Sequence, residues 1–292
     1  IFNFIIFISV ALMTARSPDF SSLIVWVTLV SVAFQVALWI LGFEGPEGAR
    51  DTIFFQNPNQ LGYFSLLSAA ILTVGVKRRI IGAGVFIAGM LGCLWLAQLS
   101  LSKAAIGAIA LLVVYGGLGS TRKILLSAIA VVGVLGLGIV DERLPIIESR
   151  FETFGTQSDD TLAGRGYERI WLHPEMNLLG GGEGAVLRWE STLLKKAEIH
   201  SSWGTILFSY GIPGVILMTT FLWRLVARLG LASLVPFGAV FLYGITHMGL
   251  RFVPMWILFG LIAGISIHRD AAKVRPKLER QLMQGLIEKH ES

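Results

Sequence analysis

The stretch at residues 20–41 reads FSSLIVWVTLVSVAFQVALWIL and carries no charged side chain. Its length falls within the roughly 17 to 25 apolar residues that a helix needs to cross a bilayer. Of the 292 residues in the chain, 54% are hydrophobic and 15% are charged, whereas soluble domains carry about 25% charged residues. The alternation of apolar and polar residues that marks the strands of a membrane barrel is absent. Helices are the other structure that can span a bilayer. The sequence therefore predicts an all-α, polytopic integral membrane helical bundle.

Similar apolar runs recur along the chain and predict about nine transmembrane helices, at residues 1–13, 20–41, 62–76, 80–99, 104–118, 124–140, 202–223, 231–248 and 252–267. Short basic connections fall on one side of this arrangement, at Arg16, Lys77 to Arg79, Arg122 to Lys123, Arg224 and Arg228. Cytoplasmic connections carry an excess of Lys and Arg. The basic side is therefore predicted to face the cytoplasm.

The predicted organisation has four parts: spans in residues 1–140, an extracytoplasmic loop at 141–201, spans in 202–268, and a basic cytoplasmic tail at 269–292. Residues 141–199 contain seven Lys or Arg against eleven Asp or Glu. This acidic excess has the opposite sign to the connections, as expected of the outer side. An odd number of spans that ends inside begins outside, so further spans are expected upstream of Ile1.

Several classes of function are disfavoured by composition. The single cysteine, Cys93, lies in an apolar run, so a disulfide framework is excluded and a packing role is expected. The formal net charge of +5 comes from basic residues scattered at span ends. This scatter is not the basic stripe of a nucleic-acid-binding protein. Asp159 and Asp160 are adjacent, but no further residues have metal-ligand spacing, so neither a metal nor a cofactor is expected.

The outer loop contains two arginines and a glycine run that suit phosphate. Arg165 and Arg169 are four residues apart, so a helix there would present both guanidinium groups on one face. The alternative is that each arginine pairs with a loop carboxylate such as Glu168. Gly182 belongs to the run GGGEG, which permits close approach of backbone to a ligand but lacks the ending of a P-loop.

His200 lies at the end of the loop, directly before an apolar run. An imidazole there can accept a proton from a hydroxyl nucleophile near neutral pH. The alternative is a structural role, because Ser201 and Ser202 are residues that cap helices. The sequence leaves both open.

Two further polar residues are predicted at the outer ends of spans. Lys103 lies where a tight outer turn re-enters the membrane, either as a ligand-binding cation or as a side chain that extends to the interface. Asn59 follows Pro58, and its amide suits sugar hydroxyls, although the Asn-Pro-Asn pattern favours a turn.

The motifs of the chain also resemble those of a known family. They are FFQNPNQLGYF at 54–64, LSLSKAAIGAIALL at 99–112, RFETF at 150–154, GRGYERIW at 164–171, LLGGGEG at 178–184 and HSSWGTILFSYGIPGVILM at 200–218. Their order and the predicted topology resemble the O-antigen ligase and polymerase superfamily over roughly residues 54–218. The resemblance implies a GT-C-like membrane bundle of the bacterial inner membrane with one large periplasmic loop. Twelve spans in the family would place three upstream of Ile1.

The resemblance implies a metal-independent, inverting transfer of a glycan from undecaprenyl diphosphate to an acceptor hydroxyl. The acceptor would be lipid A-core, another carrier-linked glycan or a protein. The implied catalytic residues are His200, Arg165 and Lys103, and the implied substrate-binding residues are Arg169, Asn59, Arg150, Gly182 and Trp203. Lys103 replaces an arginine that is common in the family, which keeps the charge but loses the bidentate fork. A transporter or carrier-binding component, for example one related to bicarbonate, is the alternative, and a structural envelope partner is the third possibility.

Overall fold

The computed structural model describes residues 2–43, 52–117, 166–184, 199–227 and 231–271. Helices form all the regular secondary structure within these ranges, so the predicted all-α class is confirmed for them. The helices are α1 (Phe2–Arg16), α2 (Pro18–Ile40), α3 (Pro58–Lys77), α4 (Ala83–Leu99), α5 (Lys103–Gly117), α6 (Glu168–Leu172), α7 (Met176–Leu179), α8 (Ser202–Ala227), α9 (Leu231–Thr246) and α10 (253–271).

Three of the described helices, α2, α3 and α8, are long and apolar enough to cross a membrane, and α1, α4 and α5 are shorter apolar helices. By length and composition the chain is therefore a membrane protein. Apart from the run at 124–140, which lies outside the described residues, each predicted span coincides with a described helix to within a few residues. The total of nine spans stays a prediction.

Helix α3 forms the centre of the bundle and packs against α2, α4, α5 and α9. Its first turn is fixed by Asn57, whose Oδ1 accepts a hydrogen bond from the backbone N–H of Gln60 at 3.0 Å. Pro58 occupies the first helical position, where a missing N–H costs nothing. The helix thus begins before residue 62, the predicted start, and Asn59 lies in its first turn instead of in a separate turn.

One end of the bundle collects basic residues. We call it the basic end; it includes Arg16, Lys77, Arg78, His268 and Arg269. The His268 Nδ1 lies 3.0 Å from the Ala15 carbonyl oxygen, and the Lys77 Nζ lies 4.5 Å from the centre of the Tyr115 ring. Partial burial and the nearby Arg269 lower the pKa of Arg78.

The opposite end, here called the loop end, contains the start of α3, α5 and α8 and the end of α9. The start of α1 lies at the same end, because Asn3 Nδ2 donates a hydrogen bond to the Leu250 carbonyl oxygen at 3.1 Å. The short helices α6 and α7 pack against α8. Cys93 is fully buried in the apolar core, as the packing interpretation predicted.

Candidate functional site

The turn between α4 and α5 carries Lys103 to the loop end. Leu101 has a φ of 50°, so the chain reverses there within a few residues. Ser102 Oγ accepts a hydrogen bond from the Ala105 N–H at 3.4 Å, close to the start of α5. The turn packs directly on α3, because a Cβ on Gly62 would lie 2.8 Å from both Ser100 Oγ and Ser102 Cβ. Lys103 is therefore the first residue of α5 and is partly exposed.

Tyr243 of α9 connects this turn to α3. Its hydroxyl donates to the Asn59 carbonyl oxygen at 3.3 Å and lies 3.4 Å from Ser102 Oγ. The ring stacks on that of Tyr63, with centroids 4.8 Å apart. These contacts bring the first turn of α3 and the residue before Lys103 together at one point.

Ser202 fixes the start of α8 to the end of α9. Its backbone N–H and its Oγ both donate to the His247 carbonyl oxygen at 3.1 Å. The same Oγ accepts a hydrogen bond from the Gly249 N–H at 2.8 Å. The His247 ring stacks on Tyr243 with centroids 4.0 Å apart, so the contacts of Ser202 continue into those of Tyr243.

His200 has fixed backbone on both sides. Ile199 and Ser201 are fully buried, whereas His200 between them is partly exposed. Ser201 Oγ accepts the Gly204 N–H at 3.1 Å and caps α8, as predicted. Ser202 was also predicted as a cap, but its hydroxyl instead bonds across to α9. The imidazole therefore reaches the surface from a well-defined backbone at the loop end.

Arg169 lies in α6 and is only 1% exposed. Burial lowers the pKa of Arg169, and the adjacent Glu168, itself 3% exposed, partly offsets this by raising it. Gly166 has a φ of 75° and α6 begins at Glu168, so the helix that carries Arg169 does not extend back to Gly166. The glycine adopts a left-handed conformation that a helix excludes. Arg165 lies outside the described residues, and its placement relative to Arg169 stays a prediction.

Arg169 and His200 belong to the same region of the structure. Ile170, which follows Arg169, packs with Ile199, which precedes His200, and with Phe208 in a small apolar cluster. The ring of Tyr167 also lies beside Gly204, where an added Cβ would be 3.4 Å from Tyr167 Cε1. These contacts place α6, the helix that carries the buried Arg169, beside the start of α8.

Gly182 lies in backbone that is bonded to a kink in α8. Gly211 has φ 65° and ψ −166° within this helix, and Pro213 has no N–H to donate. The carbonyl groups of the preceding turn of α8 therefore lack the backbone N–H donors that a regular helix would supply. The Gly181 N–H donates to the Phe208 carbonyl oxygen and the Gly182 N–H to the Ser209 carbonyl oxygen, both at 2.9 Å. The sequence predicted that the backbone at Gly182 could approach a ligand closely. In the structure this backbone instead lies against the backbone of α8.

Trp203 packs inside the bundle. Its ring is tilted against Phe241 with centroids 4.8 Å apart. It lines a cavity of about 30 Å³ together with residues that include Tyr63, Met218 and Phe259. The residues that line this cavity are mostly apolar, so it offers few hydrogen-bonding groups to a sugar.

Tyr243 and His247 were not among the residues predicted from the sequence. A signal for them exists, because residues four apart lie on one face of a helix and both rings stand near the end of an apolar run. Their partners in α3, α5 and α8 are distant in the sequence, and only the fold shows that these rings link the helix ends.

Arg150, Arg165 and the pair Asp159 and Asp160 lie outside the described residues. Within the described ranges, no group of three His, Cys, Asp or Glu side chains is arranged to hold a metal ion. No family model, curated protein or solved structure matches this chain.

Proposed function

We propose that this protein is a glycosyltransferase of the O-antigen ligase and polymerase type. It would move a glycan from undecaprenyl diphosphate to an acceptor hydroxyl at the outer face of the bacterial inner membrane. One observation supports the proposal above all: Lys103, Asn59 and His200 lie at the same end of the bundle, where Ile170, the neighbour of Arg169, packs with Ile199, the neighbour of His200. A cation, an amide and an imidazole suit a diphosphate, a sugar and an acceptor hydroxyl.

The proposed orientation follows from charge. The basic end carries Arg16, Lys77, Arg78 and Arg269, and basic residues favour the cytoplasmic side. The loop end, with the acidic loop at residues 141–199, then faces the periplasm. In this arrangement the nine predicted spans form one bundle with the loop above it, and a lipid-linked donor meets the loop end at the depth of its head group.

In the proposed reaction, His200 removes the proton from the acceptor hydroxyl as the oxygen attacks the anomeric carbon. The bond between that carbon and the diphosphate oxygen breaks, and its electron pair leaves with undecaprenyl diphosphate. A single displacement inverts the anomeric configuration. Lys103 and Arg165 neutralise the departing diphosphate, and fixed cations at the site of developing charge supply transition-state stabilisation. The proton on His200 then passes to water.

The remaining residues are proposed to position the substrate. Asn59 and Arg150 would hold sugar and phosphate oxygens, as the resemblance implies. Arg169 is buried beneath the surface, so we assign it a positioning role through the loop segment that carries it. Gly182 and Trp203 would act through the shape of the site, since the Gly182 amide is bonded to α8 and the Trp203 ring packs on Phe241.

A transporter on this scaffold is the competing function. Transport sites are expected near the middle of the membrane, often at broken helices. In α1 to α5 the charged residues stand within the first or last turns, as Arg16, Asp19, Lys77 and Lys103 do. This distribution favours chemistry at the membrane surface.

The test uses the whole protein in vesicles of phosphatidylethanolamine and phosphatidylglycerol. An undecaprenyl-diphosphate-linked glycan is supplied with either lipid A-core or a second carrier-linked glycan, in the presence of EDTA. We expect release of undecaprenyl diphosphate that depends on an acceptor and yields an inverted linkage. Release that requires a divalent metal would contradict the metal-independent mechanism. Bicarbonate flux without release would support the transporter.

A further inference from the structure

The short helix α6 has its polarity reversed relative to a water-facing surface, and apolar side chains of both α6 and α7 are exposed. Glu168 and Arg169 point inward and are almost completely buried. The apolar side chains that project outward form what we call the interfacial patch: Trp171, Leu172, Leu178 and Leu179, which are 49 to 76% exposed. Large exposed apolar patches mark contact with a partner or a membrane.

The interfacial patch is held rigidly against α8. A Cβ on Gly211 would lie 2.6 Å from the Leu178 carbonyl oxygen and from the Gly180 nitrogen, so backbone contacts backbone there. The hydrogen bonds from Gly181 and Gly182 to α8 fix the same segment from the other side. Leu178 and Leu179 therefore cannot turn inward without breaking these contacts.

The surface next to the patch is the outward apolar face of a membrane helix. Beyond its kink, α8 exposes Ile212, Ile216, Leu217 and Trp223, at 48 to 71%. Helix α8 is long and apolar enough to cross a membrane, and a face of this kind is covered by lipid. Because Leu178 and Leu179 adjoin Gly211, the interfacial patch continues the same apolar surface onto the loop.

A polar boundary lies beside the patch. Tyr210 is 46% exposed, and its hydroxyl donates to the Glu183 carboxylate. An aromatic ring with its polar group directed away from lipid is typical of the membrane interface, and Trp171 is a second residue of this type. The change from apolar to polar side chains thus occurs within a few residues of the loop.

From this geometry we propose that α6 and α7 lie in the interfacial layer of the bilayer at the loop end, with the interfacial patch in contact with lipid. The occupant of the patch is lipid because the patch is continuous with the outward face of a membrane helix and ends at interfacial aromatics. The inference does not depend on the proposed enzyme activity. It places buried Arg169, and Ile199 next to His200 through its packing with Ile170, at the membrane surface.

The test measures the depth of single spin labels in the full chain. Cys93 is the sole cysteine, so Cys93→Ala gives a background for Leu179→Cys and Leu172→Cys. Leu217→Cys on the outward face of α8 is the lipid reference, and Glu175→Cys, at an exposed polar position of the same loop, is the water reference. Each labelled protein is placed in phosphatidylethanolamine and phosphatidylglycerol vesicles, and its collision rates with oxygen and with a polar nickel complex are compared.

We expect the oxygen-to-nickel ratio at Leu179 and Leu172 to be several-fold higher than at Glu175 and similar to that at Leu217. A ratio equal to that at Glu175 would place the patch in water and overturn the inference. Exclusion of both reagents would show that protein covers the patch, such as a second copy, and would overturn it equally. Quenching by brominated lipid provides a label-free check, because Trp171→Phe should reduce the quenched fraction of the tryptophan fluorescence of the otherwise unchanged chain.

Discussion

The two ends of the bundle are built from the same kinds of helix but differ in how their polar groups are used. At the basic end, cations stand at the last turns of α1, α3 and α10, where the His268 ring lies against the Ala15 carbonyl oxygen and the Lys77 Nζ against the Tyr115 ring. At the loop end, Asn59, Ser102, Tyr243, His247 and Ser202 form a chain of contacts across four helices. Charged residues at helix ends are enough to orient a membrane protein. A functional site also requires side-chain contacts that hold its residues in fixed positions.

The largest expected effect short of complete inactivation separates the two lysines of these ends. Lys103→Ala should reduce glycan transfer by about 10²- to 10³-fold, the usual cost of removing one fixed group that stabilises transition-state charge. Lys77→Ala removes a cation from the basic end and should leave the rate nearly unchanged. Lys103→Arg keeps the charge and should retain most activity. The initial rate of glycan transfer is measured for each variant in vesicles. Equal losses of activity in Lys103→Ala and Lys77→Ala would contradict the proposed difference between the two ends.

The second effect concerns the docking of the loop on α8. Gly180 has a φ of 86°, and an added Cβ would overlap the Ser209 carbonyl oxygen. Gly180→Ala should therefore destabilise the protein by about 2 to 4 kcal/mol, from backbone strain together with overpacking.

Gly184 is the matched control, since it has a φ of 74° but nothing within 4 Å of the added Cβ. Gly184→Ala should cost only the backbone strain, about 1 kcal/mol. Thermal unfolding in detergent measures both. If the two variants lowered the midpoint equally, the loop would not be held by this contact.

Much of the fold can be predicted from the sequence, because an uncharged apolar run or a basic connection indicates the structure of the same segment in which it occurs. The cap at Asn57 and Pro58 and the cap at Ser201 also depend on neighbours in the chain. Arg169 was expected to face phosphate or to pair with a loop carboxylate, and it is buried. The helix that carries it packs against α8, which the sequence around Arg169 does not indicate.

The contacts of Tyr243 likewise could not be derived from the sequence. Its partners Asn59 and Ser102 are separated from it by 184 and 141 positions. The hydropathy pattern of α9 gives the face on which Tyr243 and His247 stand, but not the helices that meet that face. The positions of the helices can thus be predicted from the sequence. The contacts at the loop end cannot, because they depend on how the helices pack together.

The smallest expected effect compares two buried serines. Ser202→Ala removes the acceptor for the Gly249 N–H and a donor to His247, and should cost about 1 to 3 kcal/mol. Ser266 is also buried, near the basic end, and its hydroxyl has no hydrogen-bond partner in the part of the chain that the structure describes. Ser266→Ala should be neutral or slightly stabilising. The thermal unfolding midpoints of the two variants are compared. A larger loss of stability in Ser266→Ala than in Ser202→Ala would contradict this prediction.

The most direct test of the central claim, that chemistry occurs at the loop end, uses one histidine from each end. His200 precedes α8 at the loop end, and His268 is exposed at the basic end beside Ala15. Glycan transfer by His200→Ala and His268→Ala is measured in the same vesicles, with folding verified by size-exclusion chromatography. The account predicts that His200→Ala is folded and inactive while His268→Ala retains the wild-type rate. Retained transfer in folded His200→Ala would contradict it.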